Sequence, residues 1–124
     1  MDAVAASSLL SQPVRVEGIL IGHVVDVILD AARVQGLGLE VRCGDGEHRF
    51  LPLAAARLAT GGIVARSPLA LLDAPELAFY ARRGTTLRTL RAGGGSLEDV
   101  ELGEGGSVRR VRVAGEQAWR AVDA

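Results

Sequence analysis

Hydrophobic and polar residues alternate most regularly in the segment GLGLEVRC, residues 36–43. Glu40 and Arg42 occupy polar positions between apolar ones. Because successive side chains of a β-strand point to opposite faces, this period of two predicts a half-buried strand. The residues predicted to share its inner face are Leu37, Leu39, Val41 and Cys43.

Other short segments of similar character surround this one. The segment from Gly22 to Leu29 is rich in Val and Ile, which favours a strand over a helix. Residues 30–33 and 43–47 contain turn-forming residues, and residues 54–62 predict a helical turn. Short strands joined by close turns are typical of an all-β fold, here a small antiparallel β-barrel. The remaining predicted strands of this part are residues 13–18, 48–53 and 63–67.

The segment LLDAPELAFYARRG has a different pattern. Asp73 is a candidate N-cap, Pro75 suits the first turn of a helix, and Gly84 suits its end. We therefore expect a short helix or linker between two β units, followed by strands at 85–90, 95–102, 107–113 and 116–122. The predicted division of the chain is a weakly ordered lead-in at 1–12, a barrel unit at 13–73, the helix or linker at 74–84, and a truncated second unit at 85–124.

The second unit resembles the first when the sequence is shifted by 73 positions. An internal repeat is the interpretation we favour, although two hairpins of similar composition can also look alike by chance. The matched pairs are Val14 on Leu87, Arg15 on Arg88, Gly22 on Gly95, Asp26 on Asp99, Val27 on Val100 and Leu29 on Leu102. One extra residue in the second turn then places Leu37 on Val111 and Leu39 on Val113.

The order of segments in the first unit resembles the PRC-barrel family. The segments that carry the resemblance are PVRVEG, GHVVDVILD, GLGLEVRC, HRFLPL and IVARSPLALLD, which cover about half of the chain. The resemblance implies a small six-stranded type of β-barrel. The family includes a domain of the ribosome maturation factor and the cytoplasmic part of the photosynthetic reaction-centre H subunit. It also implies protein–protein contact and supplies no catalytic residue.

Composition limits the possible functions. The chain has 124 residues, a net charge of −1 and only 3% aromatic residues. This disfavours a platform of stacked rings for single-stranded nucleic acid, and no global field would draw the chain to an anionic polymer. All basic residues are Arg, and Ala, Gly and Val are abundant, which indicates a GC-rich bacterial genome.

Cysteine usage and the N-terminus bear on location. One cysteine, Cys43, excludes an internal disulfide and fits a reducing compartment. The segment MDAVAASSLL lacks the basic start and apolar core of a signal peptide. No run approaches the roughly 20 apolar residues of a membrane helix. We therefore expect a cytoplasmic protein without membrane insertion.

Few residues offer catalytic or metal chemistry. His23 and His48 are the two histidines, and no G-x-S-x-G nucleophile motif accompanies them. The segment CGDGEH combines possible metal ligands, but we favour a solvated hairpin turn with an inward Cys43. The glycine-rich segments lack a phosphate-loop lysine and are expected to be turns. We expect no catalytic site, no metal and no cofactor.

Arginines in the second unit form the main charge feature. The candidate interaction residues are Arg88, Arg109, Arg110, Arg112 and Arg120. They could contact RNA phosphates, or they could pair across strands with acidic neighbours, which we favour. Those acidic neighbours are Glu98, Asp99, Glu101 and Glu104.

The sequence thus predicts a non-enzymatic protein-interaction module. Strand edges left open by the truncated second unit would be closed by a protein partner or by a second copy, and a homodimer is the first form to test. The alternative is an RNA- or ribosome-associated factor that uses the Arg-rich second hairpin.

Overall fold

A computed structural model describes residues 3–32, 35–59, 61–92, 97–103, 106–113 and 115–121. Within these residues the chain is mostly strand, with two α-helices, α1 at Ala74–Arg83 and α2 at Leu87–Ala92. The strands are β1 Val4–Ala5, β2 Pro13–Val16, β3 Ile19–Leu29, β4 Gly36–Cys43, β5 His48–Pro52, β6 Ala56–Ala59, β7 Gly62–Ala65, β8 Thr85–Thr86, β9 Leu97–Leu102, β10 Val108–Val113 and β11 Arg120–Ala121.

The larger sheet has the order β5-β4-β3-β2-β7-β6, with β8 paired to the end of β3. A 3-10 turn at Leu53–Ala55 joins β5 directly to β6, so the first and last strands of this order follow one another in the chain. The sheet is therefore strongly curled into a half-barrel. The predicted all-β, barrel-like fold is confirmed, although β2 and β7 run parallel where only antiparallel pairs were expected.

The smaller sheet has the order β1-β9-β10-β11, and all of its pairs are antiparallel. Its centre is the β9–β10 hairpin, which was predicted at these residues. The described part of the segment 116–122 forms only the two-residue strand β11. Buried side chains of both sheets, among them Val27, Leu39, Val100 and Leu102, belong to one hydrophobic cluster.

Short elements at the start of each half cross over to the other half. Strand β1 pairs with β9, and β8 pairs with β3. Each is followed by a helical turn whose backbone N–H is bound by a buried aspartate. Asp99 Oδ1 accepts from the N–H of Ser7 at 3.0 Å, and Asp26 Oδ1 accepts from the N–H of Arg88 at 3.1 Å. The two sheets are therefore tied together by reciprocal contacts.

The lead-in differs from expectation. Instead of a weakly ordered segment, residues 4–9 form β1 and a 3-10 turn at Ala6–Leu9. Ala6 and Leu9 are buried, and the Ser7 hydroxyl donates to Asp99 Oδ2. The segment is ordered because β9 supplies a pairing edge that sequence inspection alone does not reveal.

The expected strand at 85–90 was also wrong, because only Thr85 and Thr86 are strand and α2 follows. Leu87 and Leu90 lie three residues apart and are both buried. That spacing places them on one face of a helix, whereas a strand would point them to opposite faces. Thr86 Oγ1 accepts from the N–H of Thr89 at 3.1 Å and caps the helix.

The expected helix between the halves is present as α1, with Asp73 before it and Gly84 after it. The Asp73 side chain makes no capping bond and lies 3.5 Å from Arg49 Nε instead. Gly84 is required by close approach, because a Cβ there would overlap the carbonyl oxygen of Leu29. In the segment 54–62, predicted as a helical turn, the 3-10 turn stops at Ala55 and β6 follows.

Strand register corrects the alignment of the two halves. Val27 pairs with Leu39 in β3–β4, and Val100 pairs with Val111 in β9–β10. If Val27 is matched to Val100, then Leu39 falls on Val111 and not on Val113. In the same way Leu37 falls on Arg109, at a register shift found in both hairpins.

Candidate interaction surface

The end of the β2–β3 hairpin exposes two large apolar side chains. Ile19 is 66% exposed and Leu20 is 50% exposed. Their turn is formed by Glu17 and Gly18, which both have positive φ, as a two-residue hairpin turn of this kind requires. β3 begins at Ile19, three residues before the strand predicted from Gly22.

The exposure follows from the unequal lengths of β3 and β4. The last pair between these strands is Gly22 with Cys43, and the Gly44 N–H then donates to the carbonyl of Ile21 at 3.0 Å. Beyond that point β3 pairs with β2 alone. Ile19 and Leu20 therefore extend past the end of β4 and have a strand neighbour on one side.

A groove of about 530 Å³ lies beside this hairpin end, and we call it the hairpin groove. It follows the outer surface of β3 and the start of the β4–β5 turn. Glycine at positions 44 and 46 leaves open space in the groove, since a Cβ on either residue would meet no atom within 4 Å. The lining residues are Ser11, Leu20, Ile21, Gly22, His23, Val24, Val25, Arg42, Cys43, Gly44 and Gly46.

The three glycines differ in what they tolerate. A Cβ on Gly22 would overlap the carbonyl oxygen of Arg42, so this position needs glycine for strand pairing. Gly46 has a φ of +83°, which favours glycine. A Cβ on Gly44 meets no atom within 4 Å. Gly44 is therefore the position at which the groove can be filled without disturbing the backbone.

A second groove of about 480 Å³ adjoins the first, and we call it the turn groove. The two share Ile21, Cys43 and Gly44. The turn groove adds apolar surface from the segment after β7 and a charged wall in which Arg49 contacts two aspartates. Its other lining residues are Asp45, Arg49, Pro68, Leu71 and Asp73.

Charges in the turn groove are paired. Arg49 Nη1 and Nη2 donate to the two Asp45 carboxylate oxygens at 3.1 and 2.9 Å. These bonds, with the Glu47 N–H at 2.9 Å, lower the pKa of Asp45 to about 2. Asp73 lies 3.5 Å from Arg49 Nε. Both aspartates of this wall therefore contact Arg49 within the chain, and the three side chains together keep one negative charge.

The hairpin groove differs from the turn groove because its arginine has no carboxylate partner among the described residues. Its charged lining residue is Arg42, which lies opposite His23 in the register of β3 and β4. Among the described residues, Arg42 and Glu17 have no ion-pair partner. The groove thus combines apolar walls with an unpaired cation, and the neighbouring hairpin turn carries an unpaired carboxylate.

The β9–β10–β11 surface gathers three of the predicted interaction arginines, and we call it the arginine face. Arg110 donates to Glu101 through Nε at 2.8 Å and Nη2 at 2.5 Å. These bonds lower the pKa of Glu101 and raise that of Arg110. The Glu101 side chain is only 13% exposed, so the pair is held against the sheet.

Trp119 organises the rest of the arginine face. The Cζ atoms of Arg110 and Arg112 lie 5.8 and 5.7 Å from the centre of its ring, within cation–π range. Arg112 Nη2 is 3.9 Å from Glu98 Oε1, and Arg120 Nε donates to Glu116 at 3.0 Å. Arg110, Arg112 and Arg120 therefore each contact a carboxylate within the chain.

The other two predicted arginines lie apart from this arrangement. Arg109 is exposed at the register shift of β10 and contributes to the lowered pKa of Glu101. Arg88 belongs to α2, and its Nε donates to the Val25 carbonyl of β3. Cross-strand pairing occurs with Glu98 and Glu101, whereas Asp99 binds Ser7 instead, and Glu104 lies outside the described residues.

The candidate metal ligands share the β4–β5 turn, but their side chains have separate surroundings. His48 Nδ1 lies 2.6 Å from Glu40 Oε2, Asp45 is occupied by Arg49, and Cys43 is buried and free. Across the residues that the structure describes, no group of three or more His, Cys, Asp or Glu side chains could hold a metal ion. In the same part of the chain, no helix is long and apolar enough to cross a membrane.

Sequence analysis missed the hairpin groove, although one signal was present. The segment GILIG places three apolar residues in succession directly after a turn. In a strand with alternating faces, three such residues in succession cannot all point inward. The unpaired Arg42 and the open Gly44 could not be found this way, because they depend on where β4 ends relative to β3.

No family model matches the chain, and no curated protein matches it.

Proposed function

We propose that this chain is a non-enzymatic, PRC-barrel-like module that binds another protein chain through the hairpin groove. The observation that carries the proposal is that Leu20, a half-exposed apolar residue, lines a groove that also contains three glycines, and that Ile19 beside it in the chain is exposed as well. A lone exposed leucine needs no explanation, but apolar residues continuous with a groove are typical of an interaction site.

Contact with a partner would remove the exposed Ile19 and Leu20 side chains from water. Fully burying a Leu or Ile side chain is worth about 1.5–3 kcal/mol. Two such residues beside a groove therefore offer a useful part of a moderate binding energy. Arg42 at the groove would make binding specific, because a charged side chain favours a partner of opposite charge and fixes the orientation in which it binds.

Two further points support the proposal. Strands β2, β4 and β5, and β3 from Gly22 onward, lie in the segments that carry the PRC-barrel resemblance, whose family theme is protein contact. Cys43, the only cysteine, is a buried free thiol, and this is compatible with the cytoplasmic location that we also propose. The open-edge surface expected earlier is a weaker candidate, since β1 and β11 have two residues each.

The test is affinity capture from bacterial cytoplasm, followed by reconstitution with the purified protein that is captured, including the chain itself. We expect Leu20→Ser and Gly44→Leu to reduce binding by about tenfold or more. Leu69→Ser is the matched control, because Leu69 is 89% exposed and lines neither groove. Equal binding by all variants would contradict the proposed site.

An RNA- or ribosome-associated role through the Arg-rich hairpin is the second proposal, and it has less support. Arg110, Arg112 and Arg120 already contact glutamates, so phosphate binding would require those pairs to be broken. Arg109 alone among the arginines of β10 has no carboxylate within ion-pair distance in the described part of the chain.

A further inference from the structure

We propose that the hairpin groove of one copy binds the β2–β3 hairpin end of a second copy, so that the protein forms a two-fold dimer. This inference rests on the proposed function, because it names the partner of the same surface. The segment that enters the groove is VEGIL, residues 16–20, and its main contact residues are Glu17, Ile19 and Leu20.

Charge complementarity identifies the occupant. Arg42 is the charged side chain of the groove, and the described residues give it no carboxylate within ion-pair distance. A fitting segment therefore needs an apolar stretch with a carboxylate beside it. The hairpin end has this composition, with Glu17 unpaired in the described structure and two exposed apolar residues next to it.

The placement of the two parts also favours a symmetric contact. Leu20 belongs to the hairpin end and lines the groove at the same time. Donor and acceptor surfaces that adjoin on one hairpin can each serve the other copy around a nearby two-fold axis. Each dimer would then contain two equivalent contacts between Glu17 of one copy and Arg42 of the other.

The backbone supports the same arrangement. At Ile19 and Leu20, β3 has β2 on one side and has passed the end of β4 on the other. A short strand edge exposed in this way can pair with an identical edge of a second copy. Glycine at positions 44 and 46 lines the space that the partner's side chains would enter.

The dimer is expected to be weak, because one hairpin end and one groove per copy form a small interface. Interfaces of this size belong to the low end of specific complexes, with dissociation constants in the micromolar range. The arginine face is not the interface, since its charges are neutralised within each copy.

Sedimentation equilibrium of the purified full chain tests the inference. We expect a monomer–dimer equilibrium in which Glu17→Arg or Arg42→Glu raises the dissociation constant by about tenfold or more. An equimolar mixture of these two variants should restore association, because each reversed charge then faces its opposite. Arg66→Glu is the matched control, because Arg66 is exposed and lines neither groove.

Gly44→Leu gives an independent check through groove filling, with circular dichroism and the urea midpoint confirming that the variant is folded. Loss of the dimer in this variant supports the inference. A strictly monomeric protein at all concentrations would overturn it, as would a dimer unaffected by Gly44→Leu and by both charge reversals. If another purified protein binds in a Gly44-dependent manner while the chain stays monomeric, the inference fails and the proposed function stands.

Discussion

The β3–β4 and β9–β10 hairpins share a backbone plan and differ in surface. Each has a central pair of apolar residues, Val27 with Leu39 and Val100 with Val111. Each carries a buried aspartate just before that pair, and Asp26 and Asp99 also accept from the following N–H at 2.8 and 2.9 Å. The two hairpins therefore have the same central apolar pair and the same buried aspartate in their interiors.

The surfaces use charge in opposite ways. On β9–β10, Arg110 and Glu101 are bound to each other, and Trp119 covers the neighbouring guanidinium groups. At the start of β3, Arg42 and Glu17 have no such partners in the described structure, and apolar side chains are exposed beside them. This contrast is the reason why we propose the hairpin groove, and not the arginine face, as the surface that contacts another molecule.

The largest expected effect on stability comes from adding a methyl group at Gly38 in the first hairpin, and its control is truncation of the residue at the equivalent position in the second hairpin. Gly38 pairs with Ile28, and Arg110 occupies the corresponding position opposite Glu101. A Cβ on Gly38 would overlap the Phe50 ring and lie 2.6 Å from the Leu51 carbonyl oxygen. We expect Gly38→Ala to lower the free energy of unfolding by about 3 kcal/mol.

Urea unfolding measures this effect, and Arg110→Ala is the control at the equivalent site, where the change should be far smaller. Equal losses of stability at the two sites would contradict the conclusion that Phe50 leaves no room for a side chain at Gly38. That ring is held from the other side by Tyr80, with ring centres 4.5 Å apart.

Substitution of the two buried aspartates should lower the free energy of unfolding by smaller and unequal amounts. Within the described residues, Asp99 accepts from two backbone N–H groups and from the Ser7 hydroxyl, whereas Asp26 accepts from two backbone N–H groups. We expect Asp99→Ala to cost about 2–3 kcal/mol and Asp26→Ala about 1–2 kcal/mol of unfolding free energy. Hydrogen exchange at the Ser7 and Arg88 amides reports separately on the bonds to Asp99 and Asp26. An unchanged exchange rate of the Ser7 amide in Asp99→Ala would contradict the hydrogen bond between these residues.

The Glu101–Arg110 pair should make a modest contribution to folding stability that depends on pH. Because the folded pKa of Glu101 lies below its ordinary value of 4.5, its contribution is fully present above that value. The contribution is lost as the pH falls through the lower folded pKa. We expect Glu101→Gln to lower the urea midpoint at neutral pH and to converge with the unmodified chain in acid. The Arg110→Ala background should remove this difference, and its persistence there would contradict the pairing.

The smallest expected effect concerns nucleic acid. Arg110→Glu together with Arg112→Glu should leave binding to single-stranded RNA unchanged and negligible at moderate salt, as fluorescence anisotropy can measure. If the unmodified chain instead binds RNA with a steep salt dependence that the double variant abolishes, the arginine face is a phosphate-binding surface.

Local patterns predicted the parts of the fold that depend on neighbouring residues. The alternation around Glu40 and Arg42 gave β4, and Asp73 with Gly84 gave the limits of α1. The patterns failed where a distant strand decides the outcome. Residues 4–9 are ordered by β9, and Leu87 and Leu90 form a helix against a shared core.

The candidate site was harder to predict for the same reason. The composition of the arginine face and its pairing with Glu98 and Glu101 could be anticipated from sequence, because the partners are close on one hairpin. The hairpin groove depends on β3 extending past β4, which is a property of register between strands and of the Gly22–Cys43 pair.

The central claim is that the hairpin groove holds the hairpin end of a second copy. An isotope-filtered NOE experiment on a mixture of methyl-labelled and unlabelled chains, at concentrations above the dissociation constant, tests this most directly. We predict intermolecular contacts from the Ile19 and Leu20 methyl groups to Val25 in the groove. Intermolecular contacts confined to Val111 and Val113 of the second hairpin, or none at all, would contradict the account.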